Sequence, residues 1–183
     1  MINRMSMLLV AGLTLVLVGC AHSPQQLSVQ PEILVPLNPV ARQQPVVLGT
    51  RGGIYPDSSS ITISEQTLPK VRQQVEQALR QQGFNVVPEG TPNANNLTVS
   101  LAELKYQSPT ATTYVTEANI AATFIAEAQA GNTRYQGRYG ASAQHRFGYA
   151  PNQATNTRLV TEVMSDALTR VFKDSEIVRV LQR

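Results

Sequence analysis

The thirty residues ANIAATFIAEAQAGNTRYQGRYGASAQHRF, at positions 118–147, contain two runs in which small or apolar residues alternate with polar ones. Phe124 belongs to the apolar set of the first run, and Tyr135 belongs to that of the second. Alternation with a period of two is the pattern of a half-buried strand. Gly131-Asn132 lies between the runs, where a tight turn is needed. The stretch therefore predicts a long β-hairpin with one apolar face and one polar face.

Two registers of this hairpin agree with the sequence. A two-residue loop at Gly131-Asn132 would place Phe124 opposite Tyr139, and it has the turn chemistry that such loops prefer. A loop one residue earlier would instead place Glu127 opposite Arg134, and it has the better charge pairing. Both registers bury the same face, because the parity of the two strands is unchanged.

The polar side of the predicted hairpin carries three arginines, Arg134, Arg138 and Arg146. One interpretation is a solvated sheet face, on which Glu127 neutralises an arginine across the hairpin and contributes at most ~1 kcal/mol. The other is a docking face for an anionic partner, because the planar guanidinium binds carboxylate or phosphate through two parallel hydrogen bonds. The three arginines are therefore the candidate docking residues of the chain.

Two helices are expected from apolar stripes with the period of an α-helix. The first runs from about Leu68 to Gln82, with Thr67 as its N-cap and a glycine after its last turn. The second runs from about residue 157 to residue 173, with Asn156 as its N-cap. Residues 175–182 either extend this second helix or form a final short strand.

Short strands are predicted on both sides of the first helix, and a longer strand follows at 97–106. The parity of its apolar residues changes between Leu101 and Leu104, which predicts a β-bulge near Ala102-Glu103. We therefore expect an α+β fold, in which two amphipathic helices pack on one face of a mainly antiparallel sheet that contains the long hairpin.

The N-terminal residues predict export and lipidation. A basic start at Arg4 precedes an apolar run of about 14 residues, and a membrane-spanning helix needs about 20. The run ends at Leu17-Val18-Gly19-Cys20, which fits a lipobox. We predict a signal peptide at 1–19, cleavage between Gly19 and Cys20, and lipid attachment at Cys20, the only cysteine of the chain.

The predicted lipidation divides the rest of the chain in two. Residues 20–31 are expected to form the lipidated N-terminus and a flexible tether, because Pro24 and Pro31 discourage regular structure. Residues 32–183 are expected to form a single periplasmic α+β domain, which is long enough to bury a core. Ala21, rather than an aspartate, fits the sorting of bacterial lipoproteins to the outer membrane.

The order of these parts resembles the YajG family of bacterial lipoproteins across nearly the whole chain. The stretches that carry the resemblance are the lipobox, Ile-Leu-Val-Pro at 33–36, Val-Val-Leu-Gly at 46–49, Gln-Gln-Gly-Phe at 81–84, Asn-Leu-Thr-Val-Ser-Leu at 96–101, the long hairpin, and Phe-Lys-Asp-Ser-Glu-Ile at 172–177. The resemblance implies an outer-membrane lipoprotein that faces the periplasm. It implies no enzymatic activity.

The composition offers little for catalysis or nucleic-acid binding. The chain has a net charge of +3 and no cluster of Lys and Arg, so we expect no nucleic-acid partner. The only two histidines are His22, in the predicted tether, and His145, on the apolar parity of the hairpin near its end. They lack the partners of a His-based metal site, and we expect no metal and no cofactor.

We therefore expect a non-enzymatic binding or scaffold module, anchored in the membrane by the lipid on Cys20. Its expected partner is an envelope protein or another anionic component of the envelope. Two alternatives stay open. The first is a hydrolase that acts on peptidoglycan or lipid, and the second is an accessory subunit of an envelope transport complex.

Replacing the predicted acceptor thiol tests the anchor. Cys20→Ser should abolish palmitate labelling, because the hydroxyl cannot take the thioether-linked lipid, and the precursor should stay unprocessed by the lipoprotein signal peptidase. Metabolic labelling and the mobility of the precursor on a gel measure the two effects. Palmitate incorporation that persists in the variant would exclude Cys20 as the acceptor.

Overall fold

A computed structural model describes residues 24–36, 39–40, 44–52, 60–108 and 116–183. Its elements in chain order are β1 (Gln25–Leu27), β2 (Pro45–Arg51), β3 (Ile61–Ile63), α1 (Thr67–Gln81), β4 (Asn85–Val87), β5 (Asn95–Gln107), β6 (Thr116–Ala130), β7 (Thr133–Phe147), α2 (Gln153–Lys173) and α3 (Ser175–Leu181). The predicted signal peptide, Gly19 and Cys20 lie outside the described residues.

The strands form one large sheet and one small one. The large sheet has the order β4-β2-β5-β6-β7, and the small sheet pairs β1 with β3. The short strands β2 and β4 are parallel to their neighbours, whereas the three long strands β5, β6 and β7 are antiparallel to one another. The fold is therefore α+β, and most of the strand pairing in its large sheet is antiparallel, as predicted.

The long hairpin has the register that the turn chemistry favours. Ala130 pairs with Thr133, and Phe124 pairs with Tyr139. Gly131 has a φ of +53°, and a two-residue hairpin loop of this kind needs a positive φ at its first residue. Turn geometry therefore determines the register, and the alternative that placed Glu127 opposite Arg134 is wrong.

The predicted β-bulge is present in β5. Leu101 pairs with Phe124, whereas Glu103 pairs with the next residue of β6, Thr123, so Ala102 is the extra residue. Beyond the bulge, Leu104 is fully buried. The extra residue therefore returns the apolar residues to the buried face after the parity change.

Both predicted helices form, but each begins earlier than expected. Helix α1 begins at Thr67, which is its first residue and not its N-cap. Helix α2 begins at Gln153, and Asn152 caps it by accepting a hydrogen bond from the Thr155 N–H at 2.9 Å. The prediction of Asn156 as the N-cap was wrong, because the first turn carries no large apolar residue and the stripe becomes visible only from Leu159.

The last residues of the chain form a separate third helix rather than an extension or a strand. Asp174 lies between α2 and α3 with extended backbone angles, so the two helices are distinct. Its side chain accepts a hydrogen bond from the Glu176 N–H at 2.9 Å and thereby caps α3. Ile177 and Leu181 of α3 are buried, so this helix contributes to the core.

The flexible tether predicted over 20–31 is corrected from Pro24 onward. Leu27 and Val29 are fully buried, and β1 pairs with β3 in the small sheet. The chain then runs along α2, where the backbone N–H groups of Glu32 and Leu34 each donate a 2.9 Å hydrogen bond to a helix hydroxyl. The prolines exclude a helix here, but burial and these hydrogen bonds order the extended chain.

All three helices pack on the same face of the large sheet. Helix α1 contacts β2 and β4, whereas α2 and α3 contact β6 and β7. Within the described residues, no helix has the length and hydropathy required to span a bilayer. The largest fully buried side chains come from both sheets and from all three helices: Leu27, Ile61, Leu79, Leu97, Leu104, Tyr106, Phe124, Ile120, Leu159, Met164, Leu168 and Leu181.

Truncating Leu168 tests the packing of α2 against the sheet. Leu168 is fully buried, so Leu168→Ala should lower the free energy of unfolding by about 2–5 kcal/mol, since a buried cavity is left behind. Chemical denaturation followed by circular dichroism measures the change. Arg170→Ala, at an exposed position two residues away, is the matched control and should change stability by less than about 0.5 kcal/mol. Equal stability of both variants would contradict the packing.

Candidate functional site

The candidate site is the face of β5, β6 and β7 that points away from the helices, which we call the outer face. It exists because each strand turns only alternate residues to the core. No described helix or strand packs on it. Its members are mostly polar: Asn96, Thr98, Ser100, Glu103, Lys105, Gln107, Glu117, Asn119, Ala121, Thr123, Ile125, Glu127, Gln129, Arg134, Gln136, Arg138, Gly140, Ser142, Gln144 and Arg146.

The structure places Arg134, Arg138 and Arg146 on the outer face, and each lies beside a glutamate. Arg134 pairs with Glu127 at 2.7 Å, although the two residues are not directly opposite in the register. Arg138 lies 3.4 Å from Glu103 of β5, and Arg146 lies 3.3 Å from Glu117. Because the arginine side chain is long, each arginine reaches a glutamate without any change in the strand register.

These ion pairs lie in solvent. The three arginine side chains are 62–76% exposed, and their glutamate partners are 29–33% exposed. Lys105 also pairs with Glu103, at 2.7 Å. The outer face thus carries four cationic and three anionic side chains, and most of each arginine remains accessible.

Two of the glutamates are held in the ionised form by their neighbours. The hydrogen bond and charge of Lys105 lower the pKa of Glu103, and Arg138 contributes less. Hydrogen bonds from Gln144 and Asn119 lower the pKa of Glu117 more than Arg146 does. Both carboxylates therefore stay charged well below neutral pH.

The outer face has a shallow depression where its side chains are small. Ala121 and Ser142 form its floor, and Lys105, Asn119 and Gln144 lie at its sides, around a volume of about 450 Å³. Because Ala121 and Ser142 pair directly across β6 and β7, the depression follows from the two small residues in one cross-strand row. It offers amide, ammonium and hydroxyl groups to a ligand.

A second polar cluster lies on the opposite, helix-covered side of β7. The hydroxyls of Tyr135 and Tyr139 donate hydrogen bonds to the same oxygen of Asp174, at 2.7 and 2.6 Å. Burial opposes ionisation of Asp174, but the hydrogen bonds from Tyr139, Tyr135 and the Glu176 N–H outweigh it and lower its pKa. The hydrogen bond to Asp174 raises the pKa of Tyr135, whereas burial, followed by the same carboxylate, raises that of Tyr139.

Gly137 makes this cluster possible. A Cβ atom at Gly137 would lie only 2.0 Å from the hydroxyl of Tyr139. The Tyr139 ring therefore lies along the strand over Gly137 on its way to Asp174. The cluster connects β7 to the junction of α2 and α3, so it is a structural tie between sheet and helices.

Asn156 and His145 are two further polar residues near the core. Asn156 is buried within α2, accepts a 2.7 Å hydrogen bond from the Tyr106 hydroxyl and donates one to Gln25 at 2.8 Å. Burial raises the pKa of Tyr106 despite that bond. His145 lies on the helix side of β7, and its buried Nε2 has no hydrogen-bond partner among the described residues.

The structure brings together the arginines of the candidate face but does not test the remaining predicted site residues. Gly19, Cys20 and His22 lie outside the described residues. Within the described ranges, no three His, Cys, Asp or Glu side chains are grouped as a metal site requires. The pairing of Glu103 with Arg138 and of Glu117 with Arg146, and the cluster around Asp174, were not anticipated. The only local sequence signal for Asp174 was that of a helix N-cap, because an acidic residue, Glu176, follows it two positions later.

Neutralising Asp174 tests the tie. Asp174→Asn should lower the free energy of unfolding at neutral pH by about 1–3 kcal/mol, since charge-assisted hydrogen bonds are lost. The folded-state pKa of Asp174 is lowered, so its contribution is present above the unfolded value of about 3.9 and disappears as the pH falls through the folded-state pKa. The stability difference between wild type and variant should therefore shrink on acidification.

Denaturation curves from pH 7 to pH 2 measure this difference. Asp166→Asn, at an exposed position of α2, is the control and should leave stability nearly unchanged. A difference for Asp174→Asn that does not depend on pH would exclude the ionised carboxylate as the source of the tie.

Comparison with known proteins identifies the family to which the chain belongs and adds little more. Solved structures that this chain resembles include rare lipoprotein B from Shewanella oneidensis, with 14% identity, a TM-score of 0.48, and coverage of 75% of this chain and 99% of that one. The protein XCC0632 from Xanthomonas campestris has 12% identity, a TM-score of 0.47, and coverage of 85% and 94%. A minor lipoprotein from Acinetobacter baumannii has 10% identity, a TM-score of 0.39, and coverage of 80% and 94%.

These similarities are too low to carry the assignment, and no curated protein is significantly similar in sequence. The family described as "Uncharacterized lipoprotein" has a sequence profile that matches residues 41–182. That match covers most of the chain and nearly all of the folded domain. The protein therefore belongs to the Lipoprotein_16 family of bacterial lipoproteins.

Proposed function

We propose that this lipoprotein is a non-enzymatic scaffold, anchored by Cys20 in the outer membrane and facing the periplasm, which binds an acidic segment of another envelope protein on its outer face. The observation that carries the proposal is the asymmetry of the large sheet. One face is covered by three helices, whereas the other presents, on β5, β6 and β7, a mostly polar surface that no described element covers.

The arginines of the outer face can exchange their present partners for an incoming carboxylate. Exposed ion pairs contribute only about 0–1 kcal/mol, so little free energy opposes the opening of the pairs at Arg134 and Arg138. A guanidinium that is more than half exposed can form two parallel hydrogen bonds with a carboxylate. Binding would therefore replace weak internal pairs by better ones.

The arrangement of charges supports binding rather than catalysis. Glu117 and Glu127 are ten residues apart on one strand, which separates them by about 33 Å at the rise of a strand. Glycan hydrolysis needs two carboxyl groups about 5–9.5 Å apart. Each outer-face glutamate instead lies beside a cation, as expected for a neutralised recognition surface.

Reversing two arginine charges tests the docking face. The double variant Arg134→Glu with Arg138→Glu should lose the crosslinked partner in cells, because it places glutamates where the acidic segment binds. Photo-crosslinking from the outer face followed by mass spectrometry measures the loss. The melting temperature of the purified protein should change little, since both side chains are exposed.

A matched control changes the same charge elsewhere. Arg80→Glu with Arg158→Glu also breaks two exposed Arg–Glu pairs, both on helices, and should retain the partner. Partner lists that are identical for both double variants would exclude the outer face as the binding surface. Reproducible turnover of an envelope substrate, abolished by a single substitution, would favour the hydrolase alternative instead.

A further inference from the structure

We propose that the turn between β7 and α2, residues 148–151, lies against the phospholipid headgroups of the membrane that holds the anchor, with Tyr149 as the contacting side chain. The proposal rests on the lipidation of Cys20 proposed above. It specifies which end of the domain faces the bilayer and therefore how the outer face is oriented relative to the membrane.

The connection between the anchor and the packed chain is short. Cys20 and Pro24 are four residues apart, and a fully extended chain covers at most about 14 Å over that length. The domain is much longer than this, since α2 alone has 21 residues and is about 31 Å long. The domain cannot rotate freely on such a connection, so the end where the chain leaves it must face the bilayer.

Hydrogen bonds fix where the chain leaves the domain. The Gln25 N–H donates to the Ser60 carbonyl at 2.9 Å, and its side-chain amide donates to the Pro151 carbonyl at 3.3 Å. The side chain of Gln153 donates to the Gln26 carbonyl at 2.6 Å. The exit point is therefore held beside the β7–α2 turn and the first turn of α2.

Tyr149 lies in this turn, two residues before Pro151, and is 87% exposed. A tyrosine combines an apolar ring with a polar hydroxyl, and such side chains are enriched at the membrane–water interface. Leu34 is also a large exposed apolar residue, at 63%, but its backbone is bonded to Thr169. Thr169 lies 16 residues beyond Gln153, or about 24 Å along α2 from the exit point.

This orientation points the long strands away from the membrane. Phe147 ends β7 next to the membrane-facing turn, whereas Thr133 begins it 14 residues away, or about 46 Å at the rise of a strand. Arg146 would therefore lie near the bilayer. Arg134 and the turn at Gly131-Asn132 would reach toward the interior of the periplasm.

Spin labels on the full-length lipidated protein test this orientation. Cys20 is the only native cysteine and its sulfur carries the lipid, so an introduced cysteine is the only free thiol. The protein is reconstituted in phosphatidylethanolamine–phosphatidylglycerol vesicles after labelling at Ala150→Cys, Leu34→Cys or Asn132→Cys. Collision with a water-soluble nickel complex and with oxygen measures the depth of each label.

The label at position 150 should lose most of its accessibility to nickel and gain accessibility to oxygen, whereas the labels at 34 and 132 should remain accessible to nickel. Adding Tyr149→Ser to Ala150→Cys should restore much of the nickel accessibility. Adding Leu34→Ser, the matched control, should not.

The outcomes distinguish this inference from the proposed anchor. Protein that floats with the vesicles but is equally accessible at 150 and 132 would overturn the orientation and leave the anchor in place. Protection at 150 that survives Tyr149→Ser would overturn the role of Tyr149. Protein that does not float with the vesicles would overturn both the anchor and the orientation.

Discussion

Side chains on a β-strand alternate between its two faces, and the core of this protein depends on that constraint. A shift of one residue in β6 or β7 would move every core-facing side chain of that strand to solvent. Two local features preserve the alternation across the sheet. Gly131 sets the register of the hairpin through its positive φ, and the extra residue Ala102 restores the buried parity of β5. The three helices can then cover one face while the other stays polar.

Helix α2 is the second organising element, because it uses polar residues as well as apolar ones. Ser165 and Thr169 are buried hydroxyls that accept backbone hydrogen bonds from the N-terminal segment. Asn156 connects the same helix to Tyr106 of β5 and to Gln25 of β1. Each group is buried with a hydrogen-bond partner, as the cost of desolvation requires. The segment near the proposed anchor is thus part of the domain.

The features that could be predicted from the sequence are those that short-range patterns determine. Alternation and the parity change near Ala102 are visible within a few residues, and they predicted the hairpin and the bulge. The register stayed open between turn chemistry and charge pairing, and the structure resolves it in favour of the turn at Gly131. The ordering of residues 24–31 depends on partners up to 131 residues away, so no local pattern could reveal it. The start of α2 was misplaced for a related reason, since Asn152 and Asn156 are both good caps and only tertiary contacts distinguish them. On the outer face, the arginines were predicted, but the pairing of Arg138 with Glu103 depends on the neighbouring strand β5.

Strand β7 is the last strand of the sheet, so one side of its backbone has no partner among the described strands. The unpaired edge of this 15-residue strand is a template on which a second copy of the chain can add its own β7. Full antiparallel overlap of two such strands is centred on Gly140, and it places Arg134 of each copy directly opposite Arg146 of the other. Like charges in directly opposed positions destabilise a strand pair. The arginines of the outer face therefore also discourage two copies of the chain from joining their sheets edge to edge through β7.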